Sequence, residues 1–131
     1  MKKDNKGFSL VELIIVIAIM AVLIGILAPQ YLKFVRKSKI STDITNAEEI
    51  ATAINVAVSD GEIALPGAGG TTNLTNADIA GISNMPTLQA SKLQPTLDGT
   101  KWTAVLDEYG VKSVSIDGNV LWPTPTGDWA N

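Results

Sequence analysis

Hydrophobic and polar positions fall into three regimes along the chain. From Phe8 to Ala28 run 21 residues in which Glu12 is the one charge, and the sixteen from Leu13 onward carry none. That run is apolar on every face, which predicts a helix surrounded by apolar material and not one lying on a core. Its length matches the ~20 residues that cross a bilayer. From Gln30 to Ser59 the apolar positions thin to Ile40, Ile44, Ala47, Ala51, Ile54 and Val58. Steps of four and three put them on one face of an amphipathic helix, ended by Asp60-Gly61. A continuous helix from Phe8 to Ser59 would extend about 78 Å at 1.5 Å per residue, so its N-terminal half is expected to protrude from any domain the remainder forms.

Glu62 to Thr100 is rich in Gly, Pro, Asn, Thr and Ser and predicts irregular structure, with a short helix near Asn76 to Ile82 capped by Thr75 or Asn76. Lys101 to Leu106, Val111 to Ile116 and Val120 to Trp122 read as strands, the last two joined by an Asp117-Gly118-Asn119 turn. The fold class predicted is α+β: a long N-terminal helix whose amphipathic half packs on a small antiparallel sheet of three or four strands. Trp102 and Trp122 are its expected large core side chains. Pro123, Pro125 and Gly127 end regular structure and leave residues 128–131 as a tail. Five segments result: 1–7, the apolar helix 8–29, the amphipathic half 30–60, the loop region 61–100, and the sheet with its tail 101–131, with 30–131 forming one head.

Composition narrows the chemistry. The 131 residues contain neither cysteine nor histidine, which removes disulfides, thiolate metal sites and the commonest general base. From Asp60 onward eight acids face three lysines, so the head is acidic and no general nucleic-acid-binding surface is expected. Asp107 and Glu108 are adjacent and would point to opposite faces of a strand, so they cannot share a proton. No catalytic residue, cofactor or metal is assigned. Asp117, Asn119 and Asp128 carry oxygen ligands suited to calcium, but turn positions suit them better. The run Pro66 to Gly70 lacks the Gly-Lys-Ser/Thr of a phosphate loop.

Three membrane readings compete for the apolar run. A cleaved secretory signal wants small residues before its cut, and Ile26-Leu27-Ala28 places a bulky Ile there. A plain single-pass anchor does not explain Glu12, because a carboxylate inside hydrocarbon costs ~2.5–3.5 kcal/mol at mid-helix. The third reading rests on Gly7-Phe8-Ser9-Leu10-Val11-Glu12, preceded by Lys2, Lys3 and Lys6. This stretch resembles the class III signal of type IV prepilins and pseudopilins.

The resemblance implies cleavage between Gly7 and Phe8 by a membrane-embedded prepilin peptidase, methylation of the new Phe8 terminus, and retention of the apolar helix. It implies a single-pass cell-membrane protein with a cytoplasmic N-terminus before assembly, and an extracellular pilus filament afterwards. The partners implied are identical or related pilin subunits in a helical homopolymer and an inner-membrane assembly platform. The expected function is a structural subunit, a major pilin, of a filament for adhesion, motility or DNA uptake. A pseudopilin of a type II secretion system and a minor, adhesive tip pilin are the alternatives. Many Gram-negative members staple the C-terminal region with a disulfide that this chain cannot form, so cysteine-free pilins of Gram-positive systems are the nearer analogy.

Within this frame Glu12 is the expected register mark, neutralising the α-amino group of a neighbour's Phe8, since a charge buried alone is costly. Ala21 and Gly25 form a small-xxx-small pair that lets helices approach. Pro29 is expected to loosen the helix from Gly25 onward, a place where pilin helices unwind in filaments. Lys33, Arg36, Lys37 and Lys39 precede Asp43, Glu48 and Glu49. The expectation is that the basic group of one subunit meets the acidic group of another, displaced by roughly 10–18 Å along the rod.

Overall fold

The computed structural model describes Gly7, residues 9–96 and residues 101–130. The leader residues 1–6 and Phe8, where processing is expected, lie outside the described residues, as do Leu97 to Thr100 and Asn131. Two compact units are present, Met1–Arg36 and Lys37–Asn131.

Helix α1 comprises Leu10–Ser59. It starts at Ser9, whose hydroxyl accepts the Glu12 N–H at 3.2 Å and whose carbonyl accepts the Leu13 N–H at 3.1 Å. Ser9 is thus the N-cap, satisfying amides that the first turn leaves orphaned. The helix ends where the Asp60-Gly61 signal places it. The Glu62 N–H returns to the Ala57 carbonyl at 2.9 Å, the Gly61 N–H returns to Val58 at 3.1 Å, and Gly61 takes φ 79°. This is a Schellman ending, which needs a left-handed residue and so a glycine. Residues 25–29 are helical throughout, with Pro29 inside α1. The missing proline N–H removes one bond to Gly25 without ending the helix.

In the first unit the large apolar side chains of α1 from Leu10 to Leu27 are all exposed. The second unit has its own core. Strands β1 (Thr72–Leu74), β2 (Trp102–Asp107), β3 (Gly110–Ile116) and β4 (Asn119–Trp122) form an antiparallel sheet in the order β1-β2-β3-β4. The three predicted strands are present. Strand β1 lies inside the stretch expected to be irregular, because three residues, Thr72-Asn73-Leu74, are too short to show alternation. Helix α2 (Asn76–Ala80) carries the predicted Thr75 cap as a reciprocal capping box with Asp78.

Trp102, Ala104 and Leu106 of β2, Val114 and Ile116 of β3, and Leu121 of β4 alternate inward. They meet Ile40, Ala47, Ile50, Ala51, Ile54 and Ala57 of α1 in one core, which Leu74, Ile79 and Ile82 complete. Each fully buried Ile or Leu contributes about 1.5–3 kcal/mol of transfer free energy. The predicted stripe is right at Ile40, Ala47, Ala51 and Ile54, but its centre is rotated. Positions 43, 50 and 57 are buried, whereas Ile44 and Val58 pack only at the margin.

The two large side chains are Trp102 and Trp129, not Trp102 and Trp122. Alternation explains the exchange: Leu121 faces inward, so Trp122 faces the other way and is half-buried. The expected tail is a short 3-10 turn, Gly127–Ala130, that inserts Trp129 into the core. Thr126 holds the approach to this turn. Its N–H donates to the Val120 carbonyl at 2.8 Å and its hydroxyl accepts the Val120 N–H at 3.0 Å.

Candidate functional site

The expected assembly residues lie along α1. Glu12 is in the first turn, three residues after the Ser9 cap. An acid there is favoured by the exposed amides of a helix start, so Glu12 has a local role beside any role between subunits. The sequence reading missed Ser9, although Ser9-Leu10-Val11-Glu12 is a Ser-x-x-Glu capping spelling. Gly25 has open space around it, like the rest of the exposed arm.

Lys33, Arg36, Lys37 and Lys39 are all exposed on α1, as are Glu48 and Glu49. The two glutamates border a shallow groove of about 480 Å³ that Thr45, Thr52, Ala53, Val56, Asn84 and Pro86 also line. Val56 contributes an exposed apolar surface to it.

Asp43 does not belong with these charges. It is fully buried, and four donors converge on its carboxylate. Oδ2 accepts the Ser91 hydroxyl at 2.7 Å, the Leu93 N–H at 3.1 Å and the Trp129 indole N–H at 2.8 Å, while Oδ1 accepts the Lys92 N–H at 2.6 Å. The expected exposed acid is therefore an internal hub joining α1, the 91–93 loop and the 127–130 turn. From the sequence Asp43 is expected to meet the cations of another subunit, but position 43 lies on the rotated inward face. A carboxylate can be kept there only because its lone pairs are filled. The spacing 40, 43, 47, 50, 54, 57 also follows steps of three and four and marks the inward face that includes Asp43.

Other candidate polar residues serve local structure. Asp117 and Gly118 take φ 48° and 83° in the β3–β4 turn, the two left-handed positions of a tight hairpin. The Asp128 carboxylate accepts the Gln94 amide. No group of three acidic, His or Cys side chains is gathered to hold a metal ion among the described residues. Asp107 Oδ1 accepts the Tyr109 N–H at 2.9 Å and Glu108 Oε2 accepts the Gly69 N–H at 3.2 Å, so the adjacent acids bind different backbone groups. Asp78 is held below the ordinary carboxylate range by the Thr75 N–H and then by the Thr75 hydroxyl.

An exposed helix start, apolar but for Glu12, followed by an amphipathic half on a four-stranded antiparallel meander is a pilin-like α+β architecture. Residues 2–28 match the family described as the prokaryotic N-terminal methylation motif. The chain is 41% identical over 62 residues to a type IV major fimbrial protein FimA of Dichelobacter nodosus, a match covering 47% of this chain and 40% of that one. A second FimA of the same organism is 29% identical over 99 residues, covering 72% and 62%. The type IV major pilin protein PilA of Myxococcus xanthus is 45% identical over 49 residues, covering 37% and 22%. The matches thus span less than two thirds of these relatives' lengths, from 22% to 62%. No solved structure matches the chain. Motif, relatives and architecture agree, and over these residues the chain is similar to type IV pilins.

Proposed function

We propose that the protein is a structural subunit of a type IV pilus, cut between Gly7 and Phe8, methylated at Phe8 and polymerised through α1. The observation that carries this reading is the uncovered apolar arm directly behind the methylation motif: its large side chains from Leu10 to Leu27 are exposed. About 25 cal/mol is gained per Å² of apolar surface removed from water, so an arm of this composition must be covered by lipid or by other helices. Among the described residues α1 is the one helix long and apolar enough to cross a membrane. Before assembly the arm spans the membrane with residues 1–7 on the cytoplasmic side, where the peptidase and the assembly platform act. Afterwards the same helix exchanges lipid for neighbours in the filament outside the cell.

In the filament, Glu12 neutralises a neighbour's Phe8 amine and sets the stagger. Pro29 gives α1 a weak point. The cations Lys33, Arg36, Lys37 and Lys39 of one subunit approach Glu48 and Glu49 of another, and the groove beside those glutamates supplies the apolar floor for the contact. The role is architectural, without catalysis.

The test is mass spectrometry of sheared surface filaments. The expected N-terminal peptide begins with N-methyl-Phe8. Filaments lacking this chain, or containing it with residues 1–7 intact, would overturn the proposal.

A further inference from the structure

The stretch between the apolar arm and the first buried residue, Ile40, has its own chemistry. Tyr31 and Phe34 are 66% and 71% exposed, and they alternate with the exposed cations Lys33 and Arg36. At 100° per helical residue these four side chains leave α1 in different directions, so they ring the helix and do not form one face. A single partner groove would use one face. A bilayer surface surrounds the helix.

Position selects the same environment. Leu10 to Ala28 covers about 28 Å at helical rise, close to the ~30 Å hydrocarbon layer. Tyr31 to Arg36 then lie roughly 4–12 Å beyond it, at the depth of the headgroups and their aqueous edge. Tyrosine, with an apolar ring and a polar tip, settles at that level, and Lys and Arg extend from it to phosphate. The sequence continues with Lys37 and Lys39, two further cations before the head core begins.

We infer that Tyr31, Lys33, Phe34 and Arg36 form a collar that binds anionic phospholipid headgroups of the outer leaflet and sets the height of the stored subunit. This rests on the membrane-spanning reading above. The collar also accounts for a basic cluster on the far side from the leader, where loops of inserted proteins do not usually concentrate cations. The attraction is electrostatic and decays within a Debye length, so assembly need only draw the helix outward to release it to the acidic groove of a neighbour.

The experiment reconstitutes the full chain in phosphatidylcholine vesicles containing a trace of spin-labelled phosphatidylglycerol or spin-labelled phosphatidylcholine, and measures how much of each is motionally restricted by the protein. The native chain should prefer phosphatidylglycerol by about threefold or more, and the preference should fall toward one in 1 M salt. In Lys33→Gln/Arg36→Gln/Lys37→Gln/Lys39→Gln it should fall toward one at low salt as well. Equal preference in both proteins overturns the collar, and a variant that keeps native lipid preference but loses filament yield assigns these cations to a second subunit instead. Alkaline extraction separates the two layers of the argument. A chain that washes out of the vesicles does not span and overturns the spanning reading together with the collar, whereas a retained chain without lipid preference overturns the collar alone.

Discussion

Replacing Asp43 should damage the head more than any other single polar change. Its carboxylate accepts four donors, and two of these come from residues that are themselves almost wholly buried, Ser91 at 2% and Trp129 at 1% exposure. Asp43→Ala leaves all four donors without their acceptor. A buried donor left unpaired costs about 1–3 kcal/mol, but the costs do not add fully. The Lys92 and Leu93 amides are only partly buried, so water can reach them. The expected loss is therefore about 3–5 kcal/mol, a large share of the ~5–15 kcal/mol typical of a domain.

Asp43→Asn is the sharper probe because it preserves shape. An amide oxygen in the Oδ2 position keeps Ser91, Leu93 and Trp129 and turns the NH₂ toward the Lys92 N–H, so one hydrogen bond becomes a donor facing a donor. The expected cost is about 1–2 kcal/mol. Trp129→Phe removes the indole donor with little change of packing and should cost a similar amount. Because the two changes share one oxygen, the double variant should lose less than the sum. Urea unfolding of the full chain in mild detergent, followed by tryptophan fluorescence, measures the native chain and all four variants. If Asp43→Ala unfolds within ~0.5 kcal/mol of the native chain, the hub is not holding the loop and turn in place, and the assignment of Asp43 to the interior is wrong.

Glu12→Val and Glu12→Gln should both be inserted and processed yet yield few filaments. The Gln variant retains a partner suited to the first turn, so filament loss there isolates the charge from the cap; a normal yield of sheared filaments from Glu12→Gln would remove the register role. The Asp78 carboxyl should titrate below its ordinary value, and Thr75→Ala should move it back upward in an NMR titration. A depressed folded value means that the contribution of this cap to stability is complete above the ordinary Asp value near ~3.9 and is lost as pH falls through the lower folded one. No movement in Thr75→Ala would exclude the hydroxyl as a cause. Gly110 has φ 133°, and a Cβ there would stand 2.8 Å from Asn55 Oδ1, the acceptor of the Val111 N–H. Gly110→Ala should cost about 2–3 kcal/mol by urea unfolding, against about 1 kcal/mol for Gly61→Ala, which also has positive φ but open space. Equal costs would mean that the Asn55 contact yields freely.

The sequence by itself determined the parts whose physics is local or compositional. Sixteen uncharged residues can be stable only out of water, so the arm from Leu13 to Ala28 was legible without coordinates. The ending at Gly61, the cap at Thr75 and strands β2, β3 and β4 followed from backbone preferences and alternation that act over a few residues. The spelling from Gly7 to Glu12 carried the resemblance to type IV pilins. Tertiary structure decided what depends on partners distant in sequence. Asp43 meets Trp129 across 86 positions, and neither residue declares that meeting. A charge is read as a surface residue until its donors are known, and a tryptophan after Pro123, Pro125 and Gly127 is read as a tail until something holds its indole N–H. Strand β1 likewise exists because β2 offers an edge to Thr72–Leu74. Helical periodicity located the inward stripe to within one position, and the hydrogen bonds of the Asp43 carboxylate fixed the remaining rotation.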